Sequence, residues 1–205
     1  AGGTLAGGGV RLDQTIGDES KGFTLRYIDW QNPRNNVFHV TAEFEVERTG
    51  SKETRRPAIV CFVNGLPFVV TECTRPEEKG SLEQAMNQII RNWQADEIPQ
   101  LFLYSQLVMG LNKNDGSYAT TGTPLKFWAK WREMPDATET VRRVINTPPR
   151  PEDHAKLFRG LFAYAREAVE QQMTHEREPT EQDKLLSSLC RPERLIELAR
   201  QFILY

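Results

Sequence analysis

A carboxylate at position 72 is the residue whose placement most needs a reason. It closes the stretch RRPAIVCFVNGLPFVVTECTRP, residues 55 to 76, in which two apolar runs flank Asn64-Gly65 and charge is excluded until Glu72. Runs that are apolar on both faces read as central strands covered from two sides. With a second carboxylate at position 58 and a cation at position 74, such a hairpin would grip one Mg²⁺ through oxygen ligands at about 2.0–2.1 Å and set a positive charge beside a phosphate. Position 58 is Ala58 and position 74 is Thr74. Taken alone, Glu72 also reads as a solvated charge at a strand end.

Parity decides whether 58, 72 and 74 share a face. A two-residue Asn64-Gly65 turn pairs odd with even positions and puts 58 and 72 on opposite faces. A three-residue loop, Val63-Asn64-Gly65 with Gly65 left-handed in a bulge, pairs like parities and puts 58, 72 and 74 together. The shared site therefore predicts the three-residue loop.

The elements that must hold this hairpin follow from periodicity. FTLRYIDW (23 to 30) reads as a strand closed by Asn32-Pro33. VFHVTAEFEVER (37 to 48) reads as one half-exposed strand with Phe38, Val40, Ala42, Phe44 and Val46 on one face. Ser81 begins a helix with Leu82, Ala85, Met86, Ile89, Ile90 and Trp93 at helical spacing and with Ser81 and Gln84 placed as a capping box. QLFLYS, QLVMGLN and SYATT read as further strands, the last two joined by an Asn114-Asp115-Gly116 turn. FWAKWRE (127 to 133) fits a short helix or an irregular packing segment. After the rigid PPRP joint at 148 to 151, a helix is expected from about Glu152 to Met173 carrying Leu157, Leu161, Tyr164 and Val169. Another follows EREPTEQDK, with Pro192 in a first turn and a stripe of Leu195, Ile196, Leu198, Ala199, Phe202 and Ile203. The expected architecture is α/β (α+β): a mixed central sheet flanked by helices, with a C-terminal helical extension.

Composition narrows the function. Lys and Arg number 26 against 28 Asp and Glu, for a formal charge of -2, so no overall basic field advertises nucleic acid and any such contact must be local. The local candidates are Arg48, Lys52, Arg55 and Arg56 beside the hairpin, which equally fit a solvated loop. Cys61, Cys73 and Cys190 lack CxxC spacing and sit in apolar runs, as buried free thiols of an intracellular protein do. His39, His154 and His175 are dispersed and support neither a triad nor a zinc site. No GxxxxGK[ST] occurs, so no ATP-binding P-loop is present, and no apolar run reaches membrane-spanning length. The Gly-rich start without Met and the apolar finish ARQFILY are expected to continue into a longer polypeptide.

RPAIVCFVNGLPFVVTEC, preceded by YIDWQNPRNNVFHVTAEFEVER and followed by SLEQAMNQIIRN, IPQLFLYSQ and TTGTPLKFWAKWRE, resembles the nuclease region of the R (restriction) subunit of type I restriction-modification enzymes over roughly residues 25 to 135. LCRPERLIELARQFILY resembles the helical segment before that family's helicase-like motor.

The resemblance implies a PD-(D/E)xK, restriction-endonuclease-like fold that hydrolyses phosphodiesters of double-stranded DNA with Mg²⁺. It implies a cytoplasmic, ATP-driven translocating complex with methyltransferase and specificity subunits, in which ATP acts only through the motor region. Residues 1–22 would be a lead-in segment, 23–148 the nuclease-like domain and 149–205 a helical extension towards that motor. The family's second metal carboxylate falls on Glu72, its first on Ala58 and its lysine on Thr74, so the site keeps one of three groups and its cleavage is expected to be impaired. The family's QxxR pair falls on Gln88 and Arg91, which with Arg55 and Arg56 are the candidate DNA contacts. Gln88 and Arg91 also fit an ordinary polar boundary of an apolar stripe. The Tyr that some members carry next is Asn92. The alternative is a catalytically silent DNA-binding and coupling module of the same complex. Glu43 or Glu45, and Arg75 or Lys79, are the conceivable surrogates, none at matching parity and strand.

Overall fold

A computed structural model of the chain describes residues 10–77, 79–132, 137–159 and 163–201. It begins with a hairpin of β1 (Val10–Ile16) and β2 (Glu19–Leu25), which among the described residues pair only with each other and are exposed throughout. The expected strand over 23 to 30 therefore ends at Leu25.

From Asp29 the chain builds a polar hub. Asp29 Oδ1 accepts from the Gln31 and Asn32 amides, and its Oδ2 accepts from Asn35 Nδ2. Asn36 is buried and its Oδ1 accepts from the Asp29 amide at 2.8 Å. Asn64, from the distant hairpin turn, donates its Nδ2 to Tyr27 O and to Asn36 Oδ1, both at 2.8 Å, and accepts from the Val37 amide at 2.7 Å. The turn is thereby fastened to the lead-in of the next strand.

That strand is shorter than its alternation suggests. β3 (Phe38–Ala42) stops at Glu43, whose φ of 51° breaks the extended run, and β4 (Val46–Glu47) pairs separately with β5 (Thr54–Arg55). β6 (Ile59–Val63) and β7 (Leu66–Thr74) form the central hairpin. α1 (Ser81–Asn92) follows, then α2 (Pro99–Phe102), β8 (Leu107–Asn112) and β9 (Asp115–Ala119). The main sheet runs β3-β6-β7-β8-β9, with β7 and β8 parallel and the other pairs antiparallel. This is the expected mixed sheet with flanking helices.

Several local expectations are corrected. QLFLYS is not a strand: Pro99 opens the short helix α2, because proline supplies helical φ and needs no amide partner there. Gly80, left-handed at φ 73°, caps α1 in place of a Ser81/Gln84 box, and Ser81 Oγ instead accepts from Asn112 Nδ2 at 2.8 Å. Asn112 pairs with Asp115, so the β8–β9 turn is Lys113-Asn114, held by Asn112 Oδ1 accepting from the Asn114 and Asp115 amides. FWAKWRE is irregular where described: a 3₁₀ turn at Leu125–Phe127 leads to Ala129, which bridges to Tyr118 at the sheet edge.

Beyond the sheet lie α3 (Ala137–Ile145), α4 (Pro151–Leu157), α5 (Ala163–Met173), α6 (Glu181–Leu189) and α7 (Pro192–Gln201). The single helix expected over 152 to 173 is thus two, and α3 was not foreseen. Leu161, Phe202 and Ile203 lie outside the described residues, as do the side chains of Leu157 and Tyr164.

Two apolar layers cover the sheet. On one face Val60, Val70 and Val108 meet Ile89 of α1 and Leu101 and Phe102 of α2. On the other, Val63, Val69, Met109 and Leu111 meet Leu185 and Leu189 of α6 and Leu195, Ile196 and Ala199 of α7. The helical extension therefore supplies half the cover of the sheet that carries Glu72.

Candidate functional site

The hairpin reaches the shared face by a route other than the three-residue loop. Val63 pairs with Leu66, so the turn holds only Asn64 and Gly65, at φ 50° and 83°, the left-handed pair that such a two-residue turn requires. Parity is switched further in. Cys61 pairs with Val69 but Phe62 with Pro67, leaving Phe68 as a bulged extra residue. Beyond the bulge Ile59 pairs with Thr71, which sets 58 opposite 72. A bulge in β7 makes the correction that the loop was expected to make.

Glu72 is only 3% exposed, not the solvated strand-end charge that it could have been. Its parallel neighbour is Gly110, over which α1 passes so closely that a Cβ there would lie 2.7 Å from Met86 Cγ and 3.2 Å from the Met86 amide nitrogen. Both carboxylate oxygens have donors: Oε2 accepts from the Ala58 amide at 3.3 Å and Oε1 from Asn92 Nδ2 at 3.0 Å. Arg91 Nη2 in turn donates to Asn92 Oδ1 at 3.2 Å. Desolvation pushes the Glu72 carboxyl up to about 7; the two hydrogen bonds and the Arg91 charge oppose this, while the Glu43 charge adds to it.

Thr74 lies on the same face. Its hydroxyl is 2.7 Å from the Ser81 carbonyl and donates into the first turn of α1. Where a cation would reach out beside a phosphate, the side chain instead closes the strand onto the helix.

Asn92 is the residue that sequence reasoning undervalued. It sits three positions after Ile89 and seven after Ala85, on the buried stripe of α1, so a polar group on that stripe was legible as one needing a partner. Gln88 is half-buried and Arg91 exposed on the same helix.

Arg55 and Arg56 are not gathered at Glu72. Arg55 grips Glu97 with both branches, Nε to Oε2 at 2.6 Å and Nη2 to Oε1 at 3.0 Å, and Arg56 pairs with Glu45. Arg48 reaches Glu53, Asp96 and Glu97. Glu97 is buried and held below the ordinary carboxylate range, first by its bond to Arg55. This cluster fixes the β4–β5 ribbon to the α1–α2 connection, and DNA contact through Arg55 or Arg56 would require an internal pair to open.

The donor set does not fit a Mg²⁺ ion. Among the described residues no three or more His, Cys, Asp or Glu side chains gather as a metal site. Glu72 faces a methyl group and an amide hydrogen, both of its oxygens are occupied, and its burial favours the neutral acid over the anion that a hard cation needs. Glu43, though its amide donates to the Ala58 carbonyl at 3.0 Å, is exposed on the neighbouring strand end.

A mixed sheet whose bulged hairpin and following helix converge on a buried glutamate is the frame of a restriction-endonuclease-like protein. The family model for the type I restriction enzyme R protein N terminus matches residues 4–127, more than half of the chain, and the chain belongs to that family. It is similar to the type I restriction enzyme HindI endonuclease subunit of Haemophilus influenzae, 31% identical over 174 residues that cover 78% of this chain and 16% of that protein. It is also similar to a putative type I restriction enzyme MjaIXP endonuclease subunit of Methanocaldococcus jannaschii, 31% identical over 124 residues, 60% of this chain and 11% of that protein. The chain thus spans less than a fifth of the length of these relatives. Among the described residues no helix is long and apolar enough to cross a membrane.

Proposed function

We propose that this chain is the nuclease-fold region of a type I restriction R subunit whose own cleavage site is silent, and that its working role is to contact DNA and couple to the motor of the same subunit. In this reading residues 23–148 are the nuclease-like domain and 149–205 the extension towards the motor, within a cytoplasmic complex with methyltransferase and specificity subunits. The chemistry of a fully equipped member would be Mg²⁺-dependent hydrolysis of a DNA phosphodiester. The observation that carries the reading is the closure of both Glu72 oxygens by the Ala58 amide and Asn92, with Thr74 turned into α1.

Losing one charge-stabilising group commonly costs on the order of 10²–10³ in rate, and here a ligand and the cation are both replaced. What remains is a rigid frame that presents Gln88 and Arg91 on one helix beside the site. Phosphate contacts of this kind position a duplex without reading its sequence.

Calorimetric Mn²⁺ titration tests the reading, with Mn²⁺ as a readily followed stand-in for Mg²⁺. The chain should show no saturable binding and no DNA cleavage with either metal, whereas Ala58→Asp with Thr74→Lys should gain Mn²⁺ binding. Equal affinity in the two proteins, or Glu72-dependent cleavage by the unaltered chain, would sink the proposal.

A further inference from the structure

The two edges of the main sheet are finished differently. β9 is covered by the chain's own return: Tyr118 and Ala129 exchange both main-chain hydrogen bonds, at 2.8 and 3.0 Å. β3, at the other end of the order, pairs only with β6 among the described residues. Its register decides which of its groups look outward. Glu43 N donates to Ala58 O at 3.0 Å and Asn64 N to Val37 O at 2.8 Å, so with an unbroken register the odd positions from 37 to 43 bond to β6. The N–H and C=O groups of Phe38, Val40 and Ala42 therefore point away from the sheet.

A free edge is ordinarily blunted by Lys, Pro or a bulge. Phe38-His39-Val40-Thr41-Ala42 has none of these, and the Val40 side chain is 67% exposed. Val37, just before the strand, is exposed as well. Charge stands only at the two ends. Before the strand is Arg34, with its side chain 91% exposed and its guanidinium 3.9 Å from Glu193. After it is Glu43, exposed where a φ of 51° stops the extended run.

We propose that the β3 edge is a self-association surface, on which a second copy of this chain docks its own β3 antiparallel about a two-fold axis at Val40. Val40 then faces Val40 of the second copy and Phe38 faces its Ala42, so each of the three facing pairs exchanges two main-chain hydrogen bonds. Every outward group of the strand finds a partner, and two five-stranded sheets become one continuous sheet. The same residues serve on both sides, as a two-fold interface requires.

The charges select this direction. Antiparallel docking carries the Glu43 end of each strand to the Arg34 end of the other, whereas parallel docking would set like charges together. The edge is short, so the association is weak and depends on concentration.

Sedimentation equilibrium from micromolar to millimolar protein tests the proposal. The mass should rise from 23.5 kDa towards twice that value. Val40→Pro removes an outward N–H and none of the bonds to β6, and should hold the chain at the single-copy mass. Val40→Lys, which leaves the backbone unaltered, should do the same by setting two like charges against each other at the axis. Arg34→Glu and Glu43→Arg should each weaken association severalfold, and the two together should restore it. A single-copy mass at every concentration would overturn the proposal. So would a dimer that survives both Val40 variants; its loss in Phe23→Lys would then put the contact on the exposed β1–β2 hairpin. A double swap no tighter than the single ones would overturn the antiparallel register.

Discussion

Asn92 and Glu72, twenty positions apart, meet through a 3.0 Å hydrogen bond that joins the last residue of α1 to the strand beneath it. With the Ala58 amide on the other oxygen, this bond makes Glu72 a strut between helix and sheet.

Removing the donor tests the strut. Asn92→Ala leaves a buried carboxyl oxygen without its side-chain partner, which typically costs about 1–3 kcal/mol. The urea midpoint should fall by the corresponding amount with the slope of the transition unchanged, as measured by circular dichroism.

Glu72 predicts a pH dependence of stability. Its folded-state value, about 7, lies above the usual 4.5, so between those values the folded chain holds a proton that the unfolded chain has released. Stability must therefore fall as pH rises through this window, at up to about 1.4 kcal/mol per pH unit. The total is on the order of 3 kcal/mol at pH 7 and above. Glu97 and Asp183, both lowered, act with the opposite sign: they add stability above their unfolded values and lose it as acid protonates them. Glu72→Gln should flatten the slope between pH 5 and 7 in denaturation series, keeping an acceptor for Asn92 while removing the proton.

Gly110 is required by the approach of α1. Gly110→Ala should destabilise by about 1–3 kcal/mol through overpacking against Met86. Combined with Met86→Ala, the loss should be less than the sum of the single losses, since the side-chain part of the clash is then gone. A double-mutant cycle in urea measures this.

Arg55 and Arg91 separate structure from DNA contact. Arg55→Ala strands the buried Glu97 with Arg48 as its remaining partner and should cost about 2–3 kcal/mol of stability. Arg91→Ala removes an exposed charge together with the donor to the buried Asn92 Oδ1 and should cost less, on the order of 1 kcal/mol. If Arg91 meets a phosphate, its removal weakens binding to all duplex sequences alike and lowers the salt dependence by about one unit. Fluorescence anisotropy with two unrelated duplexes across a salt series checks both effects.

The central hairpin, α1 and the mixed sheet were legible in the sequence because each rests on local information: apolar runs bounded by Asn-Gly, helical spacing after Ser81, and the ordered motifs around RPAIV and TEC. The family resemblance also put Ala58 and Thr74 at the positions expected to hold a carboxylate and a lysine, an expectation that the proposed titration tests. The sequence did not determine how those positions come to share a face. Asn64-Gly65 fits either a two-residue turn or part of a longer loop, and the Phe68 bulge that restores parity depends on which partners β7 finds on both sides. The roles of the charges were likewise decided in three dimensions. Arg55 and Glu97 are distant in sequence, and only the docking of the β4–β5 ribbon beside α2 turns a basic cluster into a set of internal ion pairs. The burial of Glu72 was decided by Gly110, Met86 and Asn92 acting together, because a carboxylate's environment is set by what packs over it and not by its neighbours along the strand.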